Sequence, residues 1–312
     1  MPVLVRNFVE TKEVIVRVVP FMADNFSYLV ICKDTLQAMA IDPADPDAMM
    51  EALREESYLL NNTIALKTIA CTHYHADHAG GNLELRAMLG ENGDIDVVGG
   101  NESILGRNIR VDHGSTFQVG KVPVEVRAVP CHTMGSVCFF LPRERWLFTG
   151  DFLFSAGCGK FFEGSARDFC LGADRLTRDL PQSTLLFPGH EYTKSNLEFA
   201  SKVNPDNVHI KAQLEHIAEL QSKGLASIPT TLARELEINL FLQCASPALL
   251  SEHLVQRLAA LVDLNSGLQV QGGADALSPE SKTVRVDPLL HSCEQAVRAL
   301  RALKDLGKRA TL

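Results

Sequence analysis

Residues 72–81 read THYHADHAGG, which places His73, His75, Asp77 and His78 within six positions. Imidazole and carboxylate are the side chains that hold divalent metals at neutral pH. A packed core has no use for four such groups in one turn, because each polar atom there needs its own partner. A solvated His-rich loop is the plain alternative, so other segments must decide. Three more share one pattern, an apolar run ending in Pro or Gly and then a ligand-type residue. AVPCHTMG presents His132, WLFTGD presents Asp151 and LLFPGHEY presents His190. A single His after a strand is an ordinary turn residue. Together the four segments deliver five of the ten histidines and two aspartates. That donor set suits a pair of closely spaced divalent ions with a bridging carboxylate.

These residues need elements to carry them. VIVRVVPFM (14–22), FSYLVICK (26–33) and LQAMAIDP (36–43) read as successive strands, and DPDAMMEALREES (45–57) as a helix with Pro near its start. LKTIACTH (66–73) is an apolar run that delivers the chain into the His-rich segment, and NLELRAMLG (82–90) reads as a helix closed by Gly90. The histidines therefore fall at the C-terminal end of a strand, where α/β folds place their chemistry. Further strands are expected at 96–100, 116–130, 136–142 and 145–151. From about residue 165 the texture turns helical, most clearly at 196–203, 206–224 and 291–306. The expected organisation is a strand-rich metal-bearing unit over 1–190 and a mainly helical one over 191–312. The stretch 246–287 reads as an insertion or flexible loop.

With 312 residues, 46% hydrophobic and 22% charged, the chain has the make-up of a soluble globular protein with a sizeable core. No apolar run approaches the ~20 residues of a membrane span. The start, MPVLVRNFVETKEV, lacks the basic head and apolar stretch of a secretory signal. Eight cysteines without regular spacing, and without a CxxC, argue for a reducing compartment and against a disulfide framework. The expected setting is cytoplasmic, with a mitochondrial form left open, and the expected state is a monomer. A net charge of −8 disfavours a nucleic-acid partner, so an anionic substrate would need a local basic patch.

THYHADH fits the HxHxDH motif of the metallo-β-lactamase superfamily. PCHTMGS, FTGD and PGHEYT resemble, in order and spacing, the later metal motifs of the hydroxyacylglutathione hydrolases, or glyoxalase II enzymes. DNFSYLV (24–30), GCGKFFEG (157–164), PGHEYTKSNLEFASKVNPDN (188–207) and IPTTLARELEINLF (228–241) extend the resemblance over most of the chain. It implies an α/β fold, a four-layer αβ/βα sandwich with a helical C-terminal domain. It also implies two divalent ions per chain, zinc, iron or manganese. One would sit on His73, His75 and His132, the other on Asp77, His78 and His190, with Asp151 and a hydroxide bridging them. Asp77 and Asp151 are the catalytic carboxylates of that scheme, and Asp42 would orient a ligand.

The same resemblance implies hydrolysis of the thioester S-D-lactoylglutathione to glutathione and D-lactate, the second step of methylglyoxal detoxification. Lys160, Phe161, Phe162, Tyr192, Arg301 and Lys304 would contact the substrate. Arg301 and Lys304 stand three apart on one helical face. Phe162 departs from the Tyr of many relatives and matches trypanothione-using ones, which lack the basic residues. Ser136 stands where relatives often carry His. A persulfide dioxygenase, a trypanothione-thioester hydrolase and a non-catalytic binding paralogue are the competing readings. The first needs only one iron and no second ligand set; the last would be expected to have lost ligands.

Overall fold

The computed structural model describes residues 8–90, 95–264 and 293–307. Its first sheet follows chain order: β1 (Phe8–Glu10), β2 (Val14–Phe21), β3 (Asn25–Cys32), β4 (Gln37–Ile41), β5 (Ala65–Cys71), β6 (Asp96–Gly99) and β7 (Ile109–Arg110). Pairing is antiparallel as far as β4 and parallel from β4 to β7. The second sheet holds β8 (Thr116–Val119), β9 (Val122–Ala128), β10 (Val137–Leu141), β11 (Trp146–Gly150), β12 (Leu185–Pro188) and β13 (Thr230–Thr231), again between sequence neighbours. Only β11 and β12 run parallel among its described pairs.

Side-chain alternation explains the layering. Successive strand residues point to opposite faces, and here both faces are apolar, so each sheet is covered on both sides. Val14, Val16, Tyr28 and Val30 meet Val126, Phe139, Leu141 and Phe148 between the sheets. One residue out of step, Ile15, Leu29 and Ile31 turn outward. They pack on Met49 and Ala52 of α1 (Pro46–Leu59) and, past the single-turn α2 (Ala76–Ala79), on Leu85 of α3 (Asn82–Met88). On the second sheet Cys138, Phe140 and Leu186 do the same against α4 (Ala166–Asp179). The result is the four-layer sandwich. Local signals start its helices: Asp45 caps α1 by accepting from the Ala48 N–H at 3.0 Å, and Ser165 with Asp168 forms a capping box on α4.

The remaining helices are α5 (Thr193–Val203), α6 (Val208–Ser222), α7 (Leu232–Ile238), α8 (Leu240–Ala245), α9 (Glu252–Leu264) and α10 (Cys293–Gly307). They share one continuous apolar cluster with the outer face of the second sheet, from Phe152 and Phe169 to Phe241, Leu258 and Leu300. Here the loop expected over 246–287 needs correction. Residues 252–264 are helix α9, and Leu254, Leu258 and Val262 bury a stripe spaced by four. Positions 265–287 of that stretch lie outside the described residues. No helix among the described residues is long and apolar enough to cross a membrane, and all eight cysteines are unpaired.

Candidate metal centre

Four segments meet at one end of the sandwich. Beyond β5 the chain stays extended to His75, at φ −58° and ψ 146°, and then coils into α2. His73 and His75 are thereby separated in direction from Asp77 and His78. His132 follows β9, Asp151 follows β11 and His190 follows β12. The donor atoms of His73, His75 and His132 lie within 4.8 Å of one another, as do those of Asp77, His78 and His190. Asp151 stands between the two groups. Its Oδ2 is 3.4 Å from His132 Nε2, and its Oδ1 is 3.3 Å from His78 Nε2 and 3.5 Å from His190 Nε2. Two glycines permit this crowding: a Cβ on Gly189 would meet Asp151 Oδ1 at 2.5 Å, and one on Gly159 would meet the Asp151 carbonyl oxygen at 2.1 Å.

The outer ring nitrogens show how the rings are held. His78 Nδ1 faces Asp42 Oδ2 at 3.0 Å, His190 Nδ1 faces Asp24 Oδ1 at 2.9 Å and His132 Nδ1 faces the Lys160 carbonyl at 2.8 Å. His73 Nδ1 lies 3.1 Å from Thr72 Oγ1, whose hydroxyl donates to Asp42 at 2.6 Å. A proton on each Nδ1 satisfies these contacts and leaves four Nε2 lone pairs aimed inward. His75 is reversed, with Nδ1 inward, 3.0 Å from both His73 Nε2 and His132 Nε2. Asp151 Oδ1 is buried with no hydrogen-bond donor. Converging lone pairs and an unsatisfied carboxylate oxygen need positive charge between them, so these residues fit divalent cations.

Electrostatics divide the cluster. Burial opposes charge on His78, but Asp151 and Asp42 outweigh it and raise its pKa well above the ordinary histidine value. His190 is raised against the same opposition by Asp151 and Asp24. Burial, with neighbouring imidazoles, drives His73 and His132 downward. Burial would raise Asp151, yet His78 and His190 hold it well below the usual carboxylate range.

The cluster forms the floor of a cavity of about 590 Å³ whose walls include Lys160, Phe162, Tyr192, Arg301 and Lys304. Tyr192 stacks on His190 at 4.8 Å between ring centres. Phe162, 62% exposed, sets its edge against His75 and His132. Phe161 departs from expectation. It does not line the cavity and stacks on Phe169 at 5.5 Å, while its neighbour Phe162 faces His75 and His132. Arg301 reaches the cavity wall, but its Nη2 donates to Asp305 at 2.8 Å and its Nη1 to the Cys158 and Gly159 carbonyls at 3.4 Å. Lys304 Nζ donates to Asn196 Oδ1. Sequence reasoning assigned no role to Asp24, or to Asn25, whose Nδ2 donates to Asp77 Oδ2 at 3.2 Å. The signal available was the DN pair that opens DNFSYLV.

With this geometry in view, comparisons with known proteins agree on a family. The metallo-beta-lactamase superfamily model matches residues 27–190, and the model for the hydroxyacylglutathione hydrolase C-terminus matches residues 191–306. A probable hydroxyacylglutathione hydrolase of Schizosaccharomyces pombe is 37% identical over 235 residues, covering 74% of this chain and 87% of the relative. The cytoplasmic hydroxyacylglutathione hydrolase of Arabidopsis thaliana is 36% identical over 235 residues, covering 73% and 88%. Among solved structures, the BLEG-1 B3 metallo-beta-lactamase aligns at TM-score 0.53 and 19% identity over 73% of this chain and 99% of that one, a likeness of fold.

Proposed function

The chain belongs to the hydroxyacylglutathione hydrolases of the metallo-beta-lactamase superfamily, and from that premise we propose that it hydrolyses S-D-lactoylglutathione to glutathione and D-lactate. That reaction is the second step of methylglyoxal detoxification. The observation that carries this reading is the pair of donor triads joined through Asp151, on the floor of a cavity walled by cationic side chains. His73, His75 and His132 would hold one divalent ion and Asp77, His78 and His190 the other, with Asp151 shared between them. Ions bound there supply a water that ionises near neutrality and a Lewis acid for the thioester oxygen. Zinc, iron and manganese all suit such donors.

The protein's own groups do the rest. Outer partners on Nδ1 fix the imidazoles of His73, His78, His132 and His190, which limits reorganisation during turnover. Asp77, steadied by Asn25 and half-exposed on the cavity side, is placed to accept a proton. The departing thiolate has a conjugate acid of pKa roughly 8.5, so no dedicated acid is required. Lys160, Tyr192, Arg301 and Lys304 offer the donors and charge for the carboxylates of glutathione, with Phe162 against the acyl end. The unit 1–190 carries all seven metal ligands, while 191–312 contributes Tyr192, Arg301 and Lys304. A monomer in the cytoplasm is the setting we assign; the likeness to the cytoplasmic Arabidopsis hydrolase and the unpaired cysteines support the compartment.

Steady-state hydrolysis by metal-loaded protein, followed at the thioester absorbance, tests the proposal, with the trypanothione thioester and an Arg301→Ala/Lys304→Ala variant alongside. Turnover of the glutathione thioester, with KM raised in the variant, is expected. Two bound metals with neither thioester cleaved would remove the activity and leave the fold assignment standing.

A further inference from the structure

The loop 151–160 has a metal-site group at each end. Asp151 begins it, and the carbonyl of Lys160, which accepts from His132 Nδ1 at 2.8 Å, ends it. The Gly159 N–H donates to the Asp151 carbonyl at 3.1 Å and closes the loop. At the tip, Phe154 and Gly157 exchange backbone hydrogen bonds of 2.9 and 3.1 Å, and Ala156 sits at φ +56°, a region an L-residue occupies only when held there.

What holds it comes from the helical side. Glu235 of α7, 0% exposed, accepts from the Ala156 N–H at 2.7 Å and from Ser155 Oγ at 3.0 Å. Asn239, equally buried, donates to the carbonyls of Phe154 at 3.2 Å and Gly157 at 3.0 Å, and to Glu235 Oε2 at 3.0 Å. Neither residue lines the cavity. Burying a carboxylate is costly unless its lone pairs are satisfied, and here the loop tip supplies two of the donors, Ala156 and Ser155. Burial pushes its pKa up, while donors from Ala156, Asn239, Ser155 and Thr230 pull it back.

We propose that Glu235, together with Asn239, is a positioning residue of the metal centre: it locks the tip of the 151–160 loop so that Asp151 and the Lys160 carbonyl stay in register with His132. This rests on reading the site as a two-metal centre. An asymmetry follows. His78 and His190 take their outer partners, Asp42 and Asp24, from the first sheet, whereas His132 takes its partner from this loop. Releasing the loop therefore loosens the ion on His73, His75 and His132 most, and loosens the other, which meets this loop through Asp151 alone, less.

The test is chelator competition and steady-state kinetics on metal-loaded wild type, Glu235→Ala, Glu235→Gln and Ser155→Ala. In Glu235→Ala, one ion should be stripped about 10–100-fold more readily and the other clearly less so, with kcat lower by the same order and KM within about threefold. Glu235→Gln should stay within about threefold of wild type, because the Ser155 hydroxyl can turn to accept while Ala156 and Asn239 still donate to the remaining oxygen. A lower melting temperature in Glu235→Ala with both ions and kcat as in wild type would overturn the proposal. So would equal weakening of both ions, or a glutamine variant as damaged as the alanine one. Should Glu235→Ala not fold, Ser155→Ala removes one donor and must show the same unequal weakening, smaller in size; its absence also overturns the proposal. Wild type that binds two ions without cleaving thioester removes only the activity, and the stripping ratio still decides. Wild type that binds no pair of ions removes the metal reading and this proposal with it.

Discussion

Asp42 shows how much one side chain does here. Its carboxylate accepts from the Thr72 N–H at 2.7 Å and the Thr72 hydroxyl at 2.6 Å, and it faces His78 Nδ1 at 3.0 Å, so it reaches two ligand histidines. It does this from φ +50°, a conformation L-residues seldom adopt. Asp42→Ala should cost about 10–100-fold in metal affinity or turnover, measured by chelator competition and kcat. Asp42→Gly, which relieves the backbone, should lose as much; recovery in the glycine variant would mean that strain and not the lost acceptor was responsible. The raised pKa values of His78 and His190 make a second prediction. In metal-free protein these imidazoles keep their protons above the ordinary value of about 6.5, so an incoming ion must displace them. Affinity should therefore fall as pH drops through that range, and uptake at neutral pH should release protons. Calorimetric titration in buffers of different ionisation enthalpy reads this directly, and pH-independent uptake would contradict it.

Among the elements, α9 carries the clearest prediction, because the polar, glycine-rich sequence after it suggested a loop. Leu258 is fully buried in the cluster that joins the helices to the second sheet. Leu258→Ala should cost about 2–5 kcal/mol, seen as a lower melting temperature with KM unchanged. A cost below about 0.5 kcal/mol, the range of surface substitutions, would mean that α9 does not pack as described. The loop after β11 is the other element that matters, since its two ends serve the metal pocket and its tip is held from α7 and α8.

The protein's two units look separable along the chain but share one core. Phe152 and Phe169, on the sheet side, pack in the same cluster as Phe241, Leu258 and Leu300. Residues 1–190 produced alone would expose that face, so the fragment should self-associate on size-exclusion chromatography and fail to cleave thioester. A monomeric, active fragment would show that the helical region is dispensable.

The proposed metal ligands could be picked out from the amino-acid order because each signal is local: the His-rich THYHADH after one strand, and elsewhere an apolar strand, a Pro or Gly, then His or Asp. The four-layer sandwich was an expectation of the family resemblance and not of strand periodicity. Other features depended on segments far apart in the chain. Asp24 partners His190 from 166 positions away, and Glu235 holds Ser155 from 80. Neither spacing nor composition marks such pairs, since an Asp before a strand and a Glu on a helix are ordinary residues until folding sets them against His190 and Ser155. Phe161 and Phe162 differ for the same reason, as neighbours of one type that the loop turns to opposite sides. Which nitrogen of each histidine faces inward, and which cation is already engaged, are set by distances that exist only once the sheets and helices have closed on one another.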